Sequence, residues 1–314
     1  MTRVLVVGGA GFLGSHLVPE LLQNGYEVTV QDQVPSDSAA KLKPFLKDIT
    51  YSWKSIVDFS VEDLAGIDAL VHLAGQADVP FALKSPRQTW DLNTNLVVDI
   101  LEAVKKKPLK TIIMSTDNVY GKVPAERLPI REEEPVKPTN IYGASKAAME
   151  VMAQTYARKD NIPIMILRSA SIFGEGSRPQ VIPIFIRQAL EGKDITIEGD
   201  GSQSRDFNYV RNTAHGIVCA LRKDPAQFPV RDKVPHNTWN IASGEETTIK
   251  NLAETIIRLT GSKSKVVNKP WREGEQGIRY PLSIEKASLE LGYRPKHTFE
   301  EGLGRTVEHL KSKA

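Results

Sequence analysis

Short apolar runs alternate with longer stretches of helical periodicity through the first half of the chain. Runs at residues 4–7, 28–31, 69–74, 111–115 and 164–168 are rich in valine, isoleucine and leucine. Most are apolar throughout rather than alternating with polar residues, which predicts strands covered on both faces. Helical patterns over residues 12–23, 86–105 and 141–158 separate them, followed by 181–191, 212–221 and 249–259. This alternation predicts an α/β fold with a doubly wound parallel sheet and a ligand site beyond the carboxyl ends of its strands. After about Ser171 the pattern loosens, and Gly174, Gly176, Pro179, Gly199 and Gly201 punctuate shorter elements. The expected division is a first domain over 1–170 and a smaller lobe over 171–314. Residues 239–242 again read as a buried strand, so segments near 205–245 are expected to return to the first domain.

Composition narrows the function classes. The 314 residues are 40% hydrophobic and 25% charged with a formal net charge of +3, ordinary for a globular protein. The run Lys105-Lys106-Lys107 stands where a helix should end and reads as capping, so no nucleic-acid partner is expected. A single cysteine, Cys219, excludes an internal disulfide. His16, His72, His215, His236, His297 and His309 show no ligand spacing, so no metal is expected. The amino terminus lacks the apolar stretch of a signal peptide, and no segment approaches the roughly 20 apolar residues that span a bilayer. The chain reads as cytoplasmic, without a membrane partner.

Gly8, Gly11 and Gly14 follow the first predicted strand and open the first helix, a turn that lets a pyrophosphate approach the helix N-terminus. Asp32 ends the next strand, where a carboxylate accepts from a ribose 2′-hydroxyl and repels a 2′-phosphate. Gln33 supplies no compensating cation, so NAD is expected rather than NADP. A module for FAD or another nucleotide is the alternative for this motif alone. Tyr142 and Lys146 lie four residues apart, on one face of a predicted helix. A tyrosine and lysine so spaced are more often a solvated pair. In company with the glycine turn they read as a nicotinamide redox site in which the ammonium favours the phenolate and lowers the tyrosine pKa. Thr116 ends a strand in the same half and is placed to hold a substrate oxygen.

These residues resemble the extended short-chain dehydrogenase/reductases, and within them the NAD-dependent sugar-nucleotide epimerases and dehydratases. The resemblance runs nearly end to end. It rests on the glycine turn, His72-Leu73-Ala74-Gly75, Asn93-Thr94-Asn95, Ser115 through Gly121, Tyr142 through Lys146, Gly199 through Phe207, and Leu291-Gly292-Tyr293-Arg294-Pro295. It implies a Rossmann domain followed by a sugar-nucleotide-binding lobe. By that similarity Thr116, Tyr142 and Lys146 form the catalytic triad, with Tyr142 as general base and acid and Lys146 bonding the nicotinamide ribose. It also implies that Gly8, Gly11, Phe12, Leu13, Asp32, Ser55, Ile56, Leu73, Ala74, Gly75 and Asn95 contact NAD. Ser55 is a departure, since the family usually carries aspartate there. Arg205, Asn240 and Arg272 fall where relatives grip a nucleotide diphosphate, a task that suits guanidinium groups. Ser171 stands where the family often has asparagine, and Arg178 and Arg279 are candidates to face a sugar carboxylate. The dehydratases carry a glutamate after the Thr-Asp pair where this chain has Asn118. The expected activity is therefore 4-epimerisation of a UDP-hexose through a 4-keto intermediate. Open alternatives are a UDP-uronate epimerase, a dehydratase or reductase of the same family, and a non-catalytic NAD-binding regulator. A homodimer is expected from the resemblance.

Overall fold

The computed structural model describes residues 1–224, 227, 237–271 and 278–313. Its first half alternates β1 (Arg3–Val7), α1 (Phe12–Gln23), β2 (Glu27–Asp32), β3 (Thr50–Trp53) and β4 (Ala69–His72). There follow α2 (Val79–Lys84), α3 (Pro86–Trp90), α4 (Leu96–Lys106), β5 (Lys110–Thr116), α5 (Ile141–Lys159) and β6 (Ile164–Ser169). Then come β7 (Ser171–Phe173), α6 (Val181–Leu190), β8 (Ile195–Glu198), β9 (Ser204–Arg205), β10 (Phe207–Tyr209) and α7 (Val210–Leu221). The chain finishes with β11 (Thr238–Ile241), β12 (Thr247–Thr248), α8 (Ile249–Thr260), β13 (Val266–Lys269) and α9 (Phe299–Lys311).

Among the described residues the main sheet has seven parallel strands in the order β11-β6-β5-β4-β1-β2-β3. Strand order reverses between β1 and β4, which opens a crevice at their carboxyl ends. The fully apolar strands are explained by the two layers they separate. Val4 and Val6 pack toward Leu17, Val18 and Leu21 of α1, while Leu5 and Val7 pack toward Val97, Ile100 and Leu101 of α4. α7 lies beside α1, with Ala214, Ile217 and Val218 in the same cluster, and β11 pairs with β6 so that Trp239 meets Leu167.

The helix expected over 86–105 is interrupted. α3 and α4 are joined by a wide π-type turn, Asp91–Asn95, whose apolar spacing cannot be told from continuous helix in sequence. Such turns are frequent at functional sites. α5 begins where the side chain of Asn140 accepts from Gly143 N at 2.8 Å, and Arg158 and Lys159 lie in its last turn.

The smaller lobe gathers α6, α8 and α9 with the pairs β7–β10, β8–β13 and β9–β12 around Phe173, Ile186, Phe207, Ile256 and Leu303. Phe12 and Leu13 of α1 pack into this cluster, so the glycine turn is seated against the second lobe. Two polar contacts tie the lobes further. His16 Nε2 lies 2.9 Å from Glu175 O, and Lys41 Nζ donates to Gly176 O at 2.9 Å.

Candidate active site

The glycine turn fills the crevice between β1 and β4. Gly8 has φ +81, and a Cβ there would lie 2.6 Å from Ala74 N, so both backbone conformation and space demand glycine. A Cβ at Gly14 would lie 2.3 Å from Gly9 O, closing the approach of helix to turn. Gly11 caps α1 without a side-chain bond, and no acidic residue stands in the first turn, which leaves its N–H groups to an anion. Asp32 ends β2 with Oδ2 accepting from Ala10 N at 2.9 Å and Oδ1 from Val34 N at 3.0 Å. The carboxylate therefore fixes the glycine turn from the end of β2. Leu73 N and Ala74 N donate to Val7 O at 2.9 and 3.1 Å, bringing the loop after β4 across the turn. This glycine cradle, an open helix N-terminus and Asp32 together fit a dinucleotide.

Ser55 follows β3 and its Oγ accepts from Val57 N at 3.3 Å, a capping role, while Ile56 is half-buried against the α4 side of the core. Asn95 lies at the surface of the protein. Its side chain is exposed and donates to Asp91 Oδ1 at 2.7 Å, because the π-type turn points position 95 outward. Asn93 takes the inward place. Its Oδ1 accepts from Gln76 N at 2.7 Å, its Nδ2 donates to Gln76 O and Ser145 Oγ, each at 2.9 Å, and a Cβ on Gly75 would lie 2.6 Å from that Oδ1.

Thr116 ends β5, and Tyr142 and Lys146 stand on the first turns of α5, where Thr116 acts on the Tyr142 phenol while Lys146 reaches back to β5. The Thr116 hydroxyl stands close enough to the Tyr142 phenol to favour its ionised form. Thr116 Oγ1 also donates to Asp117 Oδ1 at 3.0 Å. Burial pushes the Tyr142 phenol up to about 12, opposed by Thr116 and by Arg178. The lysine does not lower it as the spacing had implied: Lys146 is not among the groups acting on the phenol. The reason is geometric, since Lys146 Nζ turns toward β5 and donates to Met114 O at 3.0 Å. Burial pushes this amine down to about 8, and Glu150 pulls it back up.

Asn118 belongs to the same network. Its Nδ2 donates to Thr116 Oγ1 at 3.2 Å and to Asp117 Oδ1 at 2.9 Å, and its Oδ1 accepts from Asn140 at 3.1 Å. The residue that caps α5 thus also orients the amide beside Thr116, a link that nothing in the spacing of Asn140 announced. Burial raises the Asp117 carboxyl above its usual range, partly offset by its bond from Thr116 and by Arg205.

The substrate-side residues divide. Arg205 is half-buried, donates from Nη1 to Ser204 O at 2.9 Å, lies 5.0 Å over the Tyr280 ring and acts on Asp117 from across the site. Arg178 donates to Gln76 Oε1 at 3.1 Å and acts on the Tyr142 phenol. Ser171 opens β7, and its N–H donates to Asp206 O at 3.0 Å. Asn240 lies on β11 of the main sheet, its Oδ1 accepting from Tyr120 at 2.7 Å and its Nδ2 donating to Ile130 O and Ser283 O. Buried with each amide atom bonded inside the protein, it braces the sheet edge rather than a ligand. Arg279 pairs with Glu246 through both Nε and Nη2. Arg272 lies outside the described residues. Asp206, which sequence reasoning passed over, accepts from Ser243 N and Oγ and from Gly244 N, and so fixes the turn after β11.

Among the described residues no cluster of histidine, cysteine or carboxylate side chains is arranged to hold a metal, and no helix is long and apolar enough to cross a membrane. The model of the NAD dependent epimerase/dehydratase family matches residues 4–242. A putative UDP-glucose 4-epimerase of Methanocaldococcus jannaschii is 30% identical, with 98% of each chain covered. A dTDP-glucose 4,6-dehydratase of Streptomyces niveus is 31% identical over 98% of this chain and 92% of that protein. The crystal structure of UDP-glucuronic acid 4-epimerase from Bacillus cereus, in complex with UDP-glucuronic acid and NAD, superposes with a TM-score of 0.88 at 28% identity, covering 100% of both chains.

Proposed function

The chain belongs to the NAD dependent epimerase/dehydratase family, and on that premise we propose that it is a 4-epimerase of a UDP-linked hexose. Its cofactor is NAD. The observation that carries the choice of reaction is Asn118. Elimination of water needs an additional acid and base near the reacting carbons, and an amide already bonded to Thr116, Asp117 and Asn140 supplies neither. Epimerisation asks less of the protein. Thr116 holds the C4 hydroxyl, Tyr142 takes its proton and later returns it, and Arg205 binds the diphosphate. NAD, when bound, accepts the C4 hydride and gives it back, so no net oxidation results. Between the two transfers the 4-keto sugar turns its other face to the cofactor.

The test is incubation with UDP-glucose, UDP-galactose, their N-acetyl forms and UDP-glucuronate, with products resolved by chromatography. Interconversion at C4 without accumulation of NADH absorbance supports the reading, and a 4-keto-6-deoxy product or loss of carbon dioxide overturns it. A second reading, a UDP-uronate 4-epimerase, is favoured by Arg178, a cation that acts on Tyr142 from the sugar side of the site. Faster turnover of UDP-glucuronate than of UDP-glucose, abolished by Arg178→Ala, selects it. We also infer a homodimer. Leu83, Trp90 and Val151 stay exposed on α2, α3 and α5, which pack beside one another.

A further inference from the structure

Behind Lys146 lie charged groups that reach neither cofactor nor substrate in the mechanism above. Glu150 follows Lys146 by one helical turn on α5, and both side chains are buried. Beneath Glu150, Arg168 on β6 donates from Nε to the two carboxylate oxygens at 3.0 and 3.2 Å and from Nη2 to Oε2 at 2.6 Å. Arg168 is held in turn by Glu132 O at 3.2 Å and by the Tyr120 ring, 4.7 Å from its guanidinium carbon. The cluster thus places one carboxylate between two cations, with Arg168 bonded directly and Lys146 acting through space. On the β4 side of Lys146 stands His72, whose ring is fully buried and pushed down to about 3, so it brings no charge near neutrality. Lys146 Nζ is bonded to Met114 O and approaches Met149 Sδ at 3.6 Å. The remaining charged groups of the cluster, Glu132 and Lys286, act on each other and lie on the far side of Arg168.

We propose that Glu150 is a positioning residue for Lys146: its carboxylate, fixed by Arg168, keeps the Lys146 amine in the ammonium form that a nicotinamide ribose and the reacting tyrosine require. The inference rests on the reading of Lys146 as part of the active site. A buried amine facing only a carbonyl oxygen and a thioether would lose its proton readily, and among the described residues Glu150 is the only anion acting on it. Arg168 in turn holds that carboxylate in place through three hydrogen bonds, a division of labour that a lone buried ion pair would not need.

The test separates charge from packing. Lysine is labelled with ¹⁵N in the full chain, the Lys146 signal is assigned by its loss in Lys146→Met, and the amine is titrated by NMR. In Glu150→Gln the midpoint is expected to fall by about one pH unit, as loss of one neighbouring opposite charge implies. In Glu150→Asp, which weakens the pairing with Arg168 but keeps the charge, it is expected to stay within about 0.3 unit of the parent. An unchanged midpoint in Glu150→Gln, or an equal fall in Glu150→Asp, overturns the proposal. Should Glu150→Gln fail to fold, Glu150→Gln/Arg168→Met removes both buried charges together; a smaller fall in the same direction is expected, because a cation leaves with the carboxylate, and no fall at all overturns the proposal. Where a sugar nucleotide is turned over, the alkaline limb of kcat is expected to move with the NMR midpoint. If none is turned over, the functional reading fails while the titration still decides the role of Glu150.

Discussion

Lys146 is buried at a cost to folding, and the sign of that cost can be worked out. The folded amine titrates near 8, below its ordinary 10.5 in an open chain. Below pH 8 both states hold the proton and folding carries the full penalty of burying the charge. Between 8 and 10.5 the unfolded chain binds more protons than the folded one, so stability rises with pH, and above 10.5 the penalty is gone. Lys146→Met is therefore expected to raise stability at pH 7 by about 1–3 kcal/mol, with the gain vanishing toward about pH 10.5. Denaturant unfolding at pH 7 and pH 10 measures it, and a gain independent of pH would contradict the argument. Tyr142 is displaced the other way by the same burial. Tyr142→Phe is expected to reduce turnover by at least about a hundredfold with NAD binding retained, read from initial rates and calorimetry. That Tyr142 and Lys146 would share the start of one helix, and that Thr116 would end a strand beside it, was legible from the spacing of four and the apolar run before Thr116. Their titration was not, since it depends on how deeply the helix is buried and on the carbonyl that Lys146 finds.

Helix starts and the apolar strands were legible for a related reason: Gly11 and the run after it mark the entry of α1, and an unbroken apolar strand has only one place in a layered fold. Where the expectation failed, the pattern itself was degenerate. A π-type turn keeps the apolar spacing of a helix while rotating the residues beyond it, so the sequence offered Asn95 and the structure offers Asn93. Asn93→Ala is expected to weaken NAD binding about tenfold or more, since it frees the Gln76 loop and the Ser145 hydroxyl, and Asn95→Ala is expected to leave it unchanged within about twofold. Isothermal titration of both variants decides the matter. The internal partners of Asn240, Tyr120 and the Ile130 and Ser283 carbonyls, come from segments far apart in the chain, and motif order says nothing of them. For the glycine turn, Gly8→Ala is expected to abolish measurable NAD binding while secondary structure by circular dichroism persists, because the added methyl meets the Ala74 backbone.

The second lobe was the least legible part of the chain. Its strands are two to four residues long and pair only in twos with segments distant in sequence, below the length at which periodicity carries information. α9, which closes its core with Leu303 and Val307, carries too few apolar residues to stand out in sequence. The return of β11 was readable because its apolar residues stand as an isolated run among polar loops. A further expectation belongs to the two lobes together. Lys41 bonds Gly176 across the crevice and lies 5.7 Å over the Phe12 ring, beside the N-terminus of α1. Lys41→Ala is expected to speed NAD dissociation several-fold with little change in kcat, followed by stopped-flow displacement with a fluorescent analogue.

That bridge gives coenzyme escape the character of an unlatching. A molecule threaded between the glycine turn and a second lobe fastened at Lys41 and His16 can leave only when those fastenings open together. Residence time would then be governed by how often the two halves part.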